Sequence, residues 1–174
     1  MQQGTEIVGR YILAFVESTG KVSPVFERKT RKMFAENDLD VDSISENSWH
    51  DALNYAKAMD QVKDEVGSKT ITEAGIEQAK AAPWPDHIET VADGLQFIVE
   101  ADRDAHRGGY EGGYVVEETG DHSARIGIKQ GAPYPLENFK GVFLGAGRQL
   151  SDGSVDLSET SPGPDEQAAF ELTW

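Results

Sequence analysis

The sequence has 174 residues, 38% of them hydrophobic, and no cysteine, which suits one sizeable core and excludes a disulfide framework, a thiolate-held zinc or a cysteine nucleophile. Asp and Glu number 31 against 16 Lys plus Arg, a net charge of -15 spread along the chain. Such a surface repels phosphate backbones, so no nucleic-acid partner is expected, and it suits a salt-rich cytoplasm, with plain solubility as the alternative reason.

The most apolar early stretch, Ile7 to Val16, is interrupted by Arg10. No run reaches the roughly 18 apolar residues of a membrane span, so a cytoplasmic single domain over 1–174 is expected. Ile7, Val8, Tyr11, Ile12, Phe15 and Val16 recur at helical spacing and predict a first helix ending near Gly20. Ser23-Pro24 opens a second, with Phe26, Thr30, Met33 and Phe34 inward. A third is predicted from about Ser48 to Val66, with Trp49, Leu53, Ala56, Met59 and Val66 inward and Gly67 closing it. Thr70-Ile71-Thr72-Glu73 has the form of a capping box and starts a short helix that Pro83 ends. Asp86-His87-Ile88-Glu89 starts another, in which Ile88, Val91, Leu95, Ile98 and Asp102 keep helical spacing up to Arg107 and Gly108-Gly109.

After Gly113 the period changes from 3.6 to 2. Tyr114 to Val116, the turn Thr119-Gly120-Asp121 and the alternation of Ala124, Ile126 and Ile128 with polar neighbours predict a hairpin. Pro133-Tyr134-Pro135 starts a helix with Leu136, Phe139, Phe143 and Leu150 inward, and a second hairpin follows through Val155, Leu157, Phe170, Leu172 and Trp174. The expected fold is therefore α+β: N-terminal helices, then ββαββ, a four-stranded antiparallel sheet with helices packed on one face.

Several strings carry a resemblance. Gly4-Thr5-Glu6-Ile7-Val8-Gly9 is similar to an opening turn into a first helix, and Gly109-Tyr110-Glu111-Gly112-Gly113-Tyr114 to the start of a first hairpin. Ala132 to Gly147 resembles the helix between hairpins, and Phe170-Glu171-Leu172-Thr173-Trp174 a closing strand. Together with the element order they resemble the superfamily of heme-nitric-oxide-binding domains, 4-vinyl-reductase-type ligand domains and transport-protein-particle subunits. The resemblance implies an apolar cavity between helices and sheet for a hydrophobic or planar small molecule, with paired domains relaying the event. Heme-binding members carry Tyr-x-Ser-x-Arg; here Ser123 and Arg125 match its last two positions and Asp121 replaces the Tyr. No histidine is assigned the proximal position, and the Cys ligands of the vinyl-reductase type are missing. The reading is of a domain without heme, and it names no cofactor.

Individual constellations carry two readings each. Asp102 and His106 lie one helical turn apart and could present an oxygen and a nitrogen to a cation, or simply cap the helix dipole. Arg28, Lys29, Arg31 and Lys32 concentrate positive charge for an acidic partner, or form the solvated face of a helix. Trp84 between two prolines with His87 beside it, and Tyr134 between Pro133 and Pro135, either rim a pocket or plug the core. Gly145-Ala146-Gly147 lies within a helical run, where Gly141 and Gly145 predict close helix-to-sheet packing more readily than a phosphate loop. No nucleophile elbow, His-Glu-x-x-His or carboxylate pair is present. The leading expectation is a non-catalytic, dimeric sensor or binding module with a hydrophobic ligand near Trp84, His87, Tyr134, Phe139 and Phe143. A metal-assisted hydrolase using Asp102 and His106, and an adaptor docking through the basic helix, remain the alternatives.

Overall fold

In a computed structural model, which describes residues 4–174, the chain forms six α-helices and two antiparallel sheets. Helix α1 spans Gly9–Val22 and α2 Pro24–Glu36. The break between them lies where Ser23-Pro24 predicts it, with the Ser23 hydroxyl accepting from the Val25 N–H at 3.2 Å. Helix α3, Ala52–Val66, ends at Gly67, whose φ of +104° suits a residue without Cβ. Helix α4, Ser68–Ala81, follows immediately, so Thr70 to Glu73 falls inside its first turns. Helix α5, Val91–Asp104, starts later than the Asp86 signal suggests: Thr90 is the cap, its hydroxyl accepting from the Asp93 N–H at 3.1 Å.

Three short strands correct the helical reading of their residues. Strands β1, Glu6–Val8, β2, Trp49–Asp51, and β3, His106–Arg107, form a small sheet of order β2-β1-β3. Ile7 and Val8 continue the apolar pattern of α1, but their backbone pairs with His50, Trp49 and His106, and these long-range bonds override local periodicity. This sheet joins the end of α5 to the start of α1.

The second half matches the expected order. Strands β4, Tyr114–Gly120, and β5, Ser123–Lys129, form the first hairpin; α6, Leu136–Leu150, crosses over; β6, Asp156–Thr160, and β7, Glu166–Thr173, form the second. The sheet order is β4-β5-β7-β6, every neighbour antiparallel. Ala124, Ile126, Ile128, Phe170 and Leu172 are buried on the face that helices cover. On the other face Arg125 is paired with Glu166, which also accepts from the Gly163 N–H.

The glycine stripe of α6 needs a correction of partner. A Cβ on Gly141 would strike the Thr72 carbonyl and the Gly75 Cα, and one on Gly145 would strike Ala79 and Ile76. The close approach is therefore helix to helix, α6 against α4, while Gly147 alone faces the sheet side at Val155 and Leu172. A chain of ring contacts runs through the core, from Phe15 and Phe34 to Tyr55, then Tyr134, Phe139, Tyr114 and Phe143, with centroids 4.9 to 6.1 Å apart. Each of these large rings, when fully buried, contributes about 1.5–3 kcal/mol or more.

Candidate functional site

The aromatic chain passes beside a cavity of about 50 Å³. Its wall takes Ile7 from β1, Tyr11 from α1, Tyr55 from α3, Gln78 from α4, Asp102 from α5 and Asn138 from α6. His106, Tyr114 and Tyr134 complete the polar part, and Ala79, Ala82, Ile98, Ala101 and Val142 the apolar part. The chain has five tyrosines, and all of them come to this place. Tyr11, Tyr55, Tyr114 and Tyr134 line the cavity. Tyr110 packs against His106 with its ring tilted, centroids 4.2 Å apart, and its hydroxyl 3.5 Å from Asp102 Oδ1.

His106 is held at both nitrogens. Nδ1 lies 2.7 Å from the Asp102 carbonyl oxygen, and Nε2 lies 2.5 Å from the Tyr134 hydroxyl. A carbonyl only accepts, so Nδ1 carries the proton and Nε2 accepts from the tyrosine. Burial lowers the His106 pKa against the opposing pull of Asp102, which keeps the ring neutral. The Asp102 carboxyl is pushed up by burial, opposed by His106, by the Gly113 N–H that it accepts at 2.8 Å, and by Tyr110. Asp102 thereby ties the last turn of α5 to the start of β4.

A second polar group closes the other side. Asn138 Nδ2 donates to Gln78 Oε1 at 2.6 Å, and Gln78 Nε2 donates to the Tyr55 hydroxyl at 2.5 Å and to the Tyr11 carbonyl at 3.1 Å. Burial raises every tyrosine here, Tyr11 to about 12, and Tyr55, Tyr110, Tyr114 and Tyr134 likewise upward. The hydroxyls therefore stay protonated donors at neutral pH. Tyr11, Ala101 and Ala105 also line a surface groove with Trp49, Pro83 and Phe97, so cavity and groove share part of their lining.

Of the residues singled out by sequence, Tyr134 lines the cavity, and Phe139 and Phe143 pack behind Tyr114 at 5.4 and 4.9 Å. Trp84 stands apart: its indole N–H donates to the Ala79 carbonyl at 2.7 Å and its ring lies on Phe97. His87 is exposed beside a shallow depression with Ile88 and Gln96. Asp102 and His106 do come together, Nδ1 to Oδ1 at 3.7 Å. On α2, Arg31 is paired with Glu27 and Asp42 and Lys32 with Glu36, while Arg28 and Lys29 are exposed. Ser123 and Arg125 sit on β5, with Arg125 held by Glu166 and the Ser161 carbonyl on the face away from the helices. Sequence reasoning missed Tyr11, Tyr55, Gln78, Tyr114 and Asn138. The one available signal was the small number of tyrosines, which spacing along the chain does not gather.

No family model and no curated protein matches the chain. Solved structures do match. An oxygen-binding H-NOX domain related to soluble guanylate cyclases, in its oxygen complex, superposes with a TM-score of 0.67 at 10% identity, covering 96% of this chain and 94% of that one. A mutant of T. tengcongensis H-NOX gives 0.71 at 10% identity, with 96% and 97% covered. A Cs H-NOX mutant carrying 4-cyano-L-phenylalanine gives 0.72 at 10% identity, with 96% of each chain covered. The likeness spans nearly the whole chain and establishes an H-NOX-like fold.

Proposed function

We propose that this protein is a non-catalytic small-molecule binding or sensing domain whose ligand occupies the cavity between Tyr55, Tyr114, Tyr134 and His106. One observation carries the reading: four of the five tyrosines, drawn from α1, α3, β4 and the loop before α6, line a single small cavity, and the fifth, Tyr110, packs on His106 in its wall. Buried hydroxyls cost free energy unless bonded, and a core built for stability alone would use phenylalanine at these positions.

Neighbours of the fold are described as heme proteins, and the residues lining this cavity do not fit a heme. The cavity of about 50 Å³ compares with roughly 300–1,000 Å³ for a drug-sized ligand. No Lys or Arg lines it to meet propionates. His106 Nε2 already accepts from Tyr134. Arg125, matched by sequence to the propionate-binding arginine, is engaged by Glu166.

The route for a signal is short. Asp102 bonds Gly113 one residue before Tyr114, so a ligand touching Tyr114 acts on α5 and on the edge strand β4 together. Pairing of two copies, in a salt-rich cytoplasm, completes the proposal, and among the described residues no helix is long and apolar enough to cross a membrane.

The hydrolase reading gains the proximity of Asp102 and His106 but loses the free lone pairs it needs, since Nδ1 is a donor to a carbonyl and Nε2 is taken by Tyr134. Native mass spectrometry of gently purified protein tests the binding reading. A stoichiometric small molecule, released on denaturation, is the expected result; a bare chain that no small molecule stabilises refutes it. Metal analysis of the desalted protein tests the hydrolase.

A further inference from the structure

Two hydroxyls and one amide oxygen of the cavity have unused hydrogen-bonding capacity. Tyr114 is 6% exposed and its ring is fixed edge-on between Phe139 and Phe143. Its hydroxyl has no hydrogen-bond partner among the described residues, and Asp102, Tyr110, Tyr134 and Tyr11 act on it electrostatically from around the cavity. Tyr55 is 1% exposed. The orientation of the Gln78 amide is set by Asn138 on its oxygen and the Tyr11 carbonyl on its nitrogen, so Tyr55 accepts from Gln78 and keeps its own proton to donate. Asn138 spends Nδ2 on Gln78 and keeps Oδ1 as an acceptor. All three residues line the same cavity.

We infer that the cavity takes a small neutral molecule bearing a carbonyl- or hydroxyl-type oxygen, which accepts from Tyr114 and Tyr55, with Asn138 Oδ1 receiving any donor the ligand carries. The inference rests on the binding reading above and narrows it to a ligand class. Size follows from the cavity: about 50 Å³ against about 10–15 Å³ needed for one water admits a few heavy atoms. Charge follows from the lining. Among the described lining residues no Lys or Arg is present to hold an anion, and the one carboxyl, Asp102, has both oxygens engaged, by the Gly113 N–H and the Tyr110 hydroxyl, so none is left free for a cation. Apolar walls at Ala79, Ile98 and Val142 suit methyl or methylene groups beside the oxygen.

The test titrates the full chain with acetone and formamide, and in parallel with methylammonium, acetate and xenon, following the side-chain amide NMR signals of Gln78 and Asn138. Acetone and formamide are expected to shift these signals saturably. Tyr114→Phe and Tyr55→Phe are each expected to weaken that binding about tenfold, the equivalent of one lost hydrogen bond. Unliganded Tyr114→Phe is expected to melt close to the wild type, because the hydroxyl faces the cavity without a protein partner among the described residues and the substitution leaves the ring in place. Binding of methylammonium, acetate or xenon without binding of the neutral oxygen compounds overturns the ligand class and leaves the binding reading standing. Unchanged affinity in Tyr114→Phe overturns the assignment of the donors. Absence of any saturable shift, with solvent alone in the cavity, overturns both.

Discussion

Substituting Gly141→Ala in α6 tests the contact that holds two walls of the cavity together. A Cβ at this position collides with the Thr72 carbonyl of α4 and comes within 2.9 Å of Gly75 Cα. Ordinary carbon contacts are about 3.5–4.0 Å, so the two backbones must part by about 1 Å. Overpacking of this kind costs about 1–3 kcal/mol, and because both obstacles are backbone atoms that cannot rotate away, the upper end applies. The better helix propensity of alanine returns about 1 kcal/mol. The net expectation is a loss of about 2 kcal/mol, or about 4–8 °C in Tm for a chain of this size. Urea unfolding followed by circular dichroism measures it, with Gly153→Ala as the control, since the nearest atom to a Cβ there is Ser151 Oγ at 3.6 Å. The same separation pulls Asn138 from Gln78, now 2.6 Å apart, so ligand binding weakens with stability. A Gly141→Ala protein as stable as the wild type would refute the close helix-to-helix contact and the cavity geometry built on it.

Other outcomes follow from charge. Burial depresses the His106 pKa, so the stability tied to its neutral form is complete above the unfolded value of about 6.5 and is lost as pH falls through the lower folded value. Between pH 7.5 and 5 the urea midpoint of the wild type should fall more steeply than that of His106→Gln, with His50, also depressed by burial, supplying the remainder; parallel curves would refute a neutral buried His106. Asp102 has the opposite sign, its raised pKa making stability decline as pH rises from about 3.8 through the folded value. Asp102→Asn, which retains an acceptor for Gly113, should therefore flatten that decline in denaturation curves taken from pH 4 to 7. The net charge of -15 predicts a Tm that rises with KCl as the Debye length shrinks from about 10 Å at 0.1 M to about 3 Å at 1 M. A flat melting curve would leave solubility as the reason for the acidity.

The sequence makes the second half legible because its hairpins β4-β5 and β6-β7 are local, even though β5 and β7 pair across α6. The alternation of Ala124, Ile126 and Ile128 and the Pro133-Tyr134-Pro135 start of α6 each report a partner only a few residues away. The small sheet is illegible for the opposite reason. Ile7 reads as helical by its spacing, and nothing near it reveals a pairing with His50 and His106. The site shares this fate. Tyr55 and Tyr114 look like ordinary core residues on their own elements, and Gln78 like one more polar residue on a helix. The aromatic elbow at Trp84 drew notice because its prolines are local signals, yet its indole serves the end of α4, where Ala79 takes the hydrogen bond.

The three-stranded sheet that joins positions 6, 51 and 107 also orders events in time. Closing long loops costs entropy before any contact repays it, and such contacts form late. The stretch from Tyr114 to Thr173 contains two hairpins of near neighbours, β4-β5 and β6-β7, and its widest pairing, Ser123 with Thr173, is shorter in sequence than that of Glu6 with Arg107, so it can assemble first, while the clasp among β1, β2 and β3 completes the molecule. Ile7 and His106 face each other in that clasp and both line the cavity, so the cavity exists only once the last step is done. A ligand held there strengthens contacts that the folding transition state lacks. Its presence will show as slower unfolding at an unchanged refolding rate, and so as a longer lifetime of the folded chain.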